Sequence, residues 1–456
     1  MTKHTGLYSS QQGSVDFPVL LDKVQPYMSE NYKELLTDES ADHRTILLSE
    51  IRRFLNENHL GVNGMNQDQA VARIYREMAE ASILTPYFNY EIKDIESIEI
   101  NSYDCIWVKH VGGVVEQAPE HFLSAKHALD TMQRILQRSK ATLDYASPLV
   151  RGHLDKNIRI TVNGGYGTLD PDVGLSASIR FVNPKHLTKN DLLHFGTLTP
   201  EMMDFLVYVY RYGISMMLAG ETDAGKTTLM SIIMAEAVPD LKKLITIENG
   251  TREFDLIKRN EFDQIINSVL HLVTRESFDH AQEILQQKLI EFALTMNPDY
   301  FCLAEVKGSE AFETMEASMT GHPTIGTTHT DSAEAIPDRL MQLASLKSGS
   351  ISDKTLYLMA VKAFPILFYS EKMADGVRRV TEISECMWDH DYPKVIPLWH
   401  YETHSNEIVN GKVVVHGEFI KDNIISPALQ SRLRRHGMPD AILSSILKPV
   451  TKEGVA

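Results

Sequence analysis

The sequence predicts an α/β chain in which a parallel-sheet domain built around a phosphate-binding loop follows an α+β domain and an N-terminal helical bundle. Three observations carry that expectation. Residues 220 to 228 read Gly-Glu-Thr-Asp-Ala-Gly-Lys-Thr-Thr, which matches the pattern G-x-x-x-x-G-K-S/T. The apolar run Ile214 to Ala219 precedes the loop and the helix-forming stretch Lys226 to Ala237 follows it, so strand, loop and helix come in the order that phosphate binding needs. Strands and helices then alternate to about residue 345, as a parallel sheet with crossover helices requires.

Along the chain, residues 1–14 are polar and rich in Gly, Ser and Gln, an expected disordered tail. No apolar core follows Lys3, so this segment is not expected to be a secretory signal. Residues 15–85 form an expected helical bundle: Phe17 to Leu36, His43 to Glu57 and Gln67 to Ala81 carry apolar side chains at helical spacing. From residue 90 to 183 the pattern turns to alternation, as in Ile98-Glu-Ile100 and Ile158-Arg-Ile-Thr-Val162, with one helix capped by Ser124; this is an α+β domain. Residues 184–198 read as a linker and 199–345 as the phosphate-loop domain, with strands at 214–220, 243–248, 300–306 and 323–329. The helix at 281–296 has Leu285, Leu289, Phe292 and Met296 on an expected buried face. Residues 346–456 read as mixed helix and hairpin, with turns at Ala374-Asp-Gly376 and Asn410-Gly411.

Composition narrows the function classes. A chain of 456 residues holds several domains. Its net charge of −16 opposes broad binding to nucleic acid or anionic lipid. The basic run Arg432-Leu-Arg-Arg-His436 fits a helix end that complements the macrodipole. The longest apolar stretch, Phe205 to Leu218, is interrupted by Arg211, so no transmembrane segment is expected. Cys105, Cys302 and Cys386 form no CxxC pair. That argues against a zinc site and a disulfide framework and fits a reducing cytoplasm.

The loop's chemistry follows from its residue types. Gly220 and Gly225 let backbone N–H groups turn inward around phosphates, Lys226 reaches the β/γ-phosphates, and the Thr227 hydroxyl ligates Mg²⁺. Glu221, Thr222, Asp223, Ala224 and Thr228 complete the expected nucleotide-binding segment. ATP hydrolysis also needs carboxylates at the metal and at the attacking water. Glu305 and Glu248 each close an apolar strand at its C-terminal edge, where α/β sheets bind ligands. His322 and His329 flank a small-residue strand, and seven residues at about 3.3 Å each keep them too far apart to share one ion. His329 is therefore an expected γ-phosphate sensor.

Taken in order, these segments resemble the secretion-superfamily traffic ATPases of type II and type IV secretion, type IV pili and conjugation. Glu221 to Thr228 is similar to that family's Walker A motif, Ile245-Thr-Ile-Glu-Asn to its acidic box, and Asn297 to Gly308 to its Walker B motif. Thr320 to Arg339, with His322 and Arg339, looks like its histidine box. Of its branches, the tight-adherence pilus and conjugation type looks nearest, because a four-cysteine module is missing and a helical bundle comes first. Asn249, Lys307 and His153 stand where Asp, Arg and Arg are usual.

The resemblance implies a RecA-like motor domain and a cytoplasmic homohexamer, peripheral to the cytoplasmic membrane. ATP and Mg²⁺ would be held between the motor and the N-terminal domain, the latter through Arg180 with Arg159 as a second candidate. It assigns Glu305 to Mg²⁺ and its waters and Glu248 to the attacking water, roles that could be exchanged, and Arg275 to transition-state charge. Domain motion would pass to an inner-membrane secretion or pilus platform protein. Two other readings stay open: a nucleotide-gated scaffold with little hydrolysis, and a RecA-like nucleic-acid motor, which the acidic charge opposes. Whether pilin, protein or DNA is moved is not encoded in these motifs.

Overall fold

A computed structural model describes residues 13–37, 41–111, 113–139, 141–154, 158–181, 187–275, 282–347 and 349–448. The chain divides into two units, Met1–Pro184 and Lys185–Ala456. Its fold class is the expected one, a RecA-like phosphate-loop domain with an α+β domain and a helical bundle N-terminal to it.

In the first unit, helices Phe17–Asn31, Ala41–Glu57 and Gln67–Ala79 each bury one stripe. Leu20, Val24 and Met28 share a core with Leu47, Ile51, Leu55 and Ile74, and their spacing of four is that of one helix face. The expected disordered tail lies outside the described residues up to position 12. Its end departs from the expectation, because Gly13–Val15 is a strand paired in parallel with Leu60–Val62, which satisfies backbone groups of both segments.

The α+β part is a six-stranded antiparallel sheet in the order Val115–Gln117, Cys105–His110, Ile95–Ser102, Ser176–Phe181, Ile158–Asn163 and Leu149–Leu154. Alternation sends Ile158, Ile160, Val162 and Ile179 into a core shared with Ala128, Met132, Ile135 and Leu136 of helix Ala125–Arg138. The Ser124 hydroxyl accepts the His127 N–H at the start of that helix, the capping the sequence predicts.

The second unit is built on nine strands: β1 Met216–Gly220, β2 Leu244–Glu248, β3 Val269–Val273, β4 Tyr300–Leu303, β5 Thr324–Thr328, β6 Ile366–Lys372, β7 Arg378–Asp389, β8 Tyr392–Val409 and β9 Lys412–Lys421. Their order in the sheet is β3-β2-β4-β5-β1-β6-β7-β8-β9. The first six are parallel and the last three antiparallel. Strands β1, β2, β4 and β5 are buried at every position, as a sheet covered on both faces demands. Met216 and Leu218 join the core of helices Pro200–Arg211 and Lys226–Ala237. Met217 and Ala219 join that of helices Gln286–Leu294, Ala311–Met319, Ile336–Ser345 and Asp353–Ala363.

Three expectations are corrected. Residues 346–456 are no separate region: β6 lies parallel to β1, with Ile366 opposite Met216, and β7 to β9 extend the same sheet. Alternation reveals a strand but not its neighbour. Of the expected linker, residues 184–186 lie outside the described residues and the rest is built into the second unit. Lys189–His194 is a helix with a reciprocal Thr188/Asp191 cap, and Leu192 and Leu198 enter the second unit's core. The helix expected at 281–296 spans Gln286–Leu294 and buries Gln286, Ile290 and Ala293, while Leu285 and Phe292 stay exposed. Gln286 Nε2 donates to the Glu305 carbonyl at 3.0 Å and Gln287 Nε2 to Ser309 Oγ at 2.5 Å. Leu289 and Met296 pack partly buried against the same core as Ile290 and Ala293, so the expected face is buried in part.

Among the described residues no helix is long and apolar enough to cross a membrane. Cys302 and Cys386 are buried, Cys105 is partly so, and all three are free.

Candidate nucleotide site

Strand β1 delivers the chain to Gly220, where a Cβ would collide with the Ser370 carbonyl oxygen of β6. Only glycine permits so close an approach. Gly225 caps helix Lys226–Ala237 at φ +79°, and the first N–H groups of a helix lack intrahelical partners, which suits them to anions. Between the two glycines Asp223 is also left-handed, at φ +69°. Its carboxylate meets Arg378 Nη2 at 2.5 Å and Lys372 Nζ at 3.1 Å. Arg378 Nε donates to the Asp223 carbonyl at 2.7 Å and Ser370 Oγ to the Ala224 carbonyl at 2.9 Å. Strand β6 and the start of β7 thus hold the loop's shape.

Lys226 Nζ donates to the carbonyls of Gly220 at 2.8 Å and Glu221 at 2.7 Å. Burial pushes its pKa down to about 8, against the opposing pull of Glu305 and Glu221. A polyphosphate would favour the charged form, so nucleotide affinity should be highest below about pH 8 and fall as pH rises through that value, with proton uptake on binding near pH 8 to 9. Calorimetric titration with ADP in buffers of different ionisation heat measures both. Affinity that is flat from about pH 7 to 9.5 would contradict the coupling.

The carboxylates occupy distinct surroundings. Glu305 lies just beyond β4, with His329 Nε2 3.1 Å from its Oε1 and Lys307 Nζ 3.3 Å from its Oε2. Burial pulls its pKa up, yet Lys307, His329 and an Asn249 hydrogen bond hold it below the usual range, so it is ionised at neutral pH. Glu248, at the end of β2, is fully buried. Its Oε1 accepts from Thr246 Oγ1 at 2.8 Å and lies 3.1 Å from His271 Nδ1. Its Oε2 accepts the N–H of Glu253 and, at 2.9 Å, that of Phe254. With both oxygens engaged and no exposed surface, Glu248 shapes the loop after β2 in this structure, an arrangement that favours an architectural part over the expected water-orienting one. The loop it shapes presents Glu253, whose Oε2 accepts from Thr227 Oγ1 at 3.2 Å. Sequence reasoning missed Glu253 because it lies in a loop with no strand to end. The one available signal was its place five residues beyond Glu248.

The structure brings together Gly220 to Thr228, Glu253, Glu305 and His329. Others lie elsewhere. His322 Nδ1 is 3.0 Å from the Pro298 carbonyl, a partner of its own. Arg275 bonds the Gln282 carbonyl through Nε and Nη2 at 3.0 and 2.6 Å and forms an isolated antiparallel bridge with Ile284. Arg339 lies on helix Ile336–Ser345, its Nε buried without a hydrogen-bond partner. In the first unit Arg159 stands opposite both Arg180 and His153 in the sheet register, so the three form a row across adjacent strands. Among the described residues no group of three His, Cys, Asp or Glu side chains could hold a metal ion alone.

A phosphate loop closing an inner strand of the sheet's parallel part, with carboxylates at the ends of the adjacent strands β2 and β4, defines a P-loop nucleotide-binding protein. The model for type II/IV secretion system proteins matches residues 122–377, more than half of the sequence, and the chain belongs to that family. It is 24% identical over 331 residues to a Mycobacterium tuberculosis protein provisionally named for conjugal transfer, covering 71% of this chain and 89% of that one. It is 32% identical over 180 residues to the type IV secretion system protein PtlH of Bordetella pertussis, covering 39% of this chain and 51% of PtlH. Among solved structures, the Legionella pneumophila ATPase DotB aligns with a TM-score of 0.46 at 15% identity, over 79% of this chain and 84% of DotB.

Proposed function

We propose that this chain hydrolyses Mg-ATP and works as a cytoplasmic, hexameric motor at a membrane platform for type IV secretion, conjugative transfer or tight-adherence pilus assembly. The observation that carries the reading is the convergence of Lys226, Thr227, Glu253 and Glu305 on one shaped loop. A half-buried lysine whose protons are donated to its own loop carbonyls is a cation prepared for an incoming anion. The donor set fits Mg²⁺, which prefers hydroxyl, carboxylate and phosphate oxygens: Thr227 would hold it, with Glu253 and Glu305 supporting its waters. Bound there, the ion would neutralise charge on the β- and γ-phosphates. Lys226 binds and orients the phosphates, His329 tethers Glu305 and is placed to sense the γ-phosphate, and Glu253 takes over from Glu248 the holding of the attacking water. Arg159 and Arg180 are proposed cationic contacts to the nucleotide and Arg275 a proposed stabiliser of transition-state charge, and the relatives' names support the secretion and conjugation setting.

Two carboxylate variants separate chemistry from architecture. Glu253→Gln should keep the fold and nucleotide binding while lowering phosphate release about a hundredfold. Glu248→Ala should lower stability by about 2–4 kcal/mol, since it orphans buried N–H donors. Phosphate release and denaturant midpoints, read on both variants, decide it. Full turnover in Glu253→Gln would remove that residue from the reaction, and a fully stable Glu248→Ala would remove the architectural role.

A further inference from the structure

A carboxylate inside a loop that binds phosphates is electrostatically out of place, and Asp223 adds a second anomaly by adopting a left-handed backbone that usually falls to glycine. Three bonds answer both. Arg378 takes the Asp223 carboxylate at 2.5 Å with Nη2 and the Asp223 carbonyl at 2.7 Å with Nε, and Lys372 takes the other carboxylate oxygen at 3.1 Å. Asp223 is therefore countered by two cations that come from one hairpin, Lys372 ending β6 and Arg378 opening β7, opposite each other in register. The side chains keep only about a quarter to a third of their exposure (26%, 31% and 32%), so the charges are less screened by solvent than surface pairs.

The same hairpin grips the loop beyond the charges. Ser370 Oγ bonds the Ala224 carbonyl, the Ser370 carbonyl packs against Gly220, and Arg378 Cδ lies 3.0 Å from where a Gly225 Cβ would stand. Arg378 itself falls one position beyond the family model's match, which ends at residue 377.

We propose that Lys372 and Arg378 act as a charge mask on Asp223, positioning the phosphate loop and setting its affinity for nucleotide, so that the β6–β7 hairpin governs binding from outside the loop. Asp223, Lys372 and Arg378 are positioning residues here. The inference rests on the nucleotide-binding reading above. With the mask intact, the loop presents the field of Lys226 and the helix N-terminus to the phosphates. With Arg378 removed, a carboxylate countered by Lys372 alone opposes the polyanion.

The test is a double-mutant cycle on the full chain, read as the dissociation constant of Mg-ADP together with kcat and KM for ATP. Arg378→Gln should weaken binding and raise KM about tenfold or more with a smaller change in kcat, the scale of one partly shielded charge acting on a polyanion. Lys372→Gln should shift binding in the same direction by less. The decisive variant is the pair: Asp223→Asn with Arg378→Gln removes both the charge and the need for its cover, and should return affinity to within about threefold of the unaltered chain. Arg378→Lys, which keeps the charge, should also stay near the unaltered chain. A double variant as weak as Arg378→Gln alone, in a chain that otherwise binds nucleotide, would overturn the mask and leave the binding site standing. Absence of nucleotide binding in the unaltered chain would overturn both readings. If Arg378→Gln does not fold, Lys372→Gln and its pair with Asp223→Asn decide the same question: affinity restored in the pair supports the mask, and affinity left low overturns it.

Discussion

Lys226→Ala should weaken nucleotide binding by about a hundredfold or more and abolish measurable turnover, because it removes a charge-assisted contact to the phosphates at a half-buried position. The variant leaves the scaffold in place. Lys226 bonds two loop carbonyls, those of Gly220 and Glu221, and Glu221 is exposed, so water can replace the lost donor there at a net cost of about 1 kcal/mol. The loop's shape is held instead by Gly220 against Ser370 and by Asp223 against Lys372 and Arg378. Titration with a fluorescent ADP analogue, beside a thermal melt, reads affinity and fold separately. Unchanged affinity in a folded Lys226→Ala chain would remove the lysine from the site and with it the account of the loop.

Glu305→Gln should bind Mg-ATP within about threefold of the unaltered chain and release phosphate about a hundred to a thousand times more slowly. The carboxylate is ionised because Lys307, His329 and Asn249 outweigh the effect of its burial. The amide keeps its size and can still accept from His329 and Lys307, so the loop after β4 should hold its course. What it loses is the negative charge that would support the metal's waters. Single-turnover measurements separate the binding step from the chemical one. Equal turnover in the two chains would assign the reaction's carboxylate elsewhere, with Glu253 next in line.

Much of this site could be read from sequence because its parts are local. Gly220, Gly225, Lys226 and Thr227 fall in one nine-residue window, and the strands ending near Glu248 and Glu305 announce themselves as short apolar runs between turns. What could not be read depends on partners distant in the chain. Asp223 looks like any polar loop residue until Lys372 and Arg378 arrive from roughly 150 positions away. Glu248 shows a carboxylate at a strand end in either role, and only its full burial, with Thr246, His271 and two backbone N–H groups around it, reveals a structural part. Glu253 gains meaning from that same folding of the loop. The stripe Leu285, Leu289, Phe292 and Met296 holds in part: Leu289 and Met296 pack against the core while Leu285 and Phe292 are exposed, because the buried face runs through Gln286, Ile290 and Ala293.

On the proposed reading, the loop, its lysine and its carboxylates turn over ATP. Steady-state phosphate release from Mg-ATP by the purified full chain, with Lys226→Ala as the blank, tests it most directly. Magnesium-dependent release well above that blank is the expected result. Release no greater than the blank, from a chain that binds nucleotide, would contradict it and favour a nucleotide-gated scaffold.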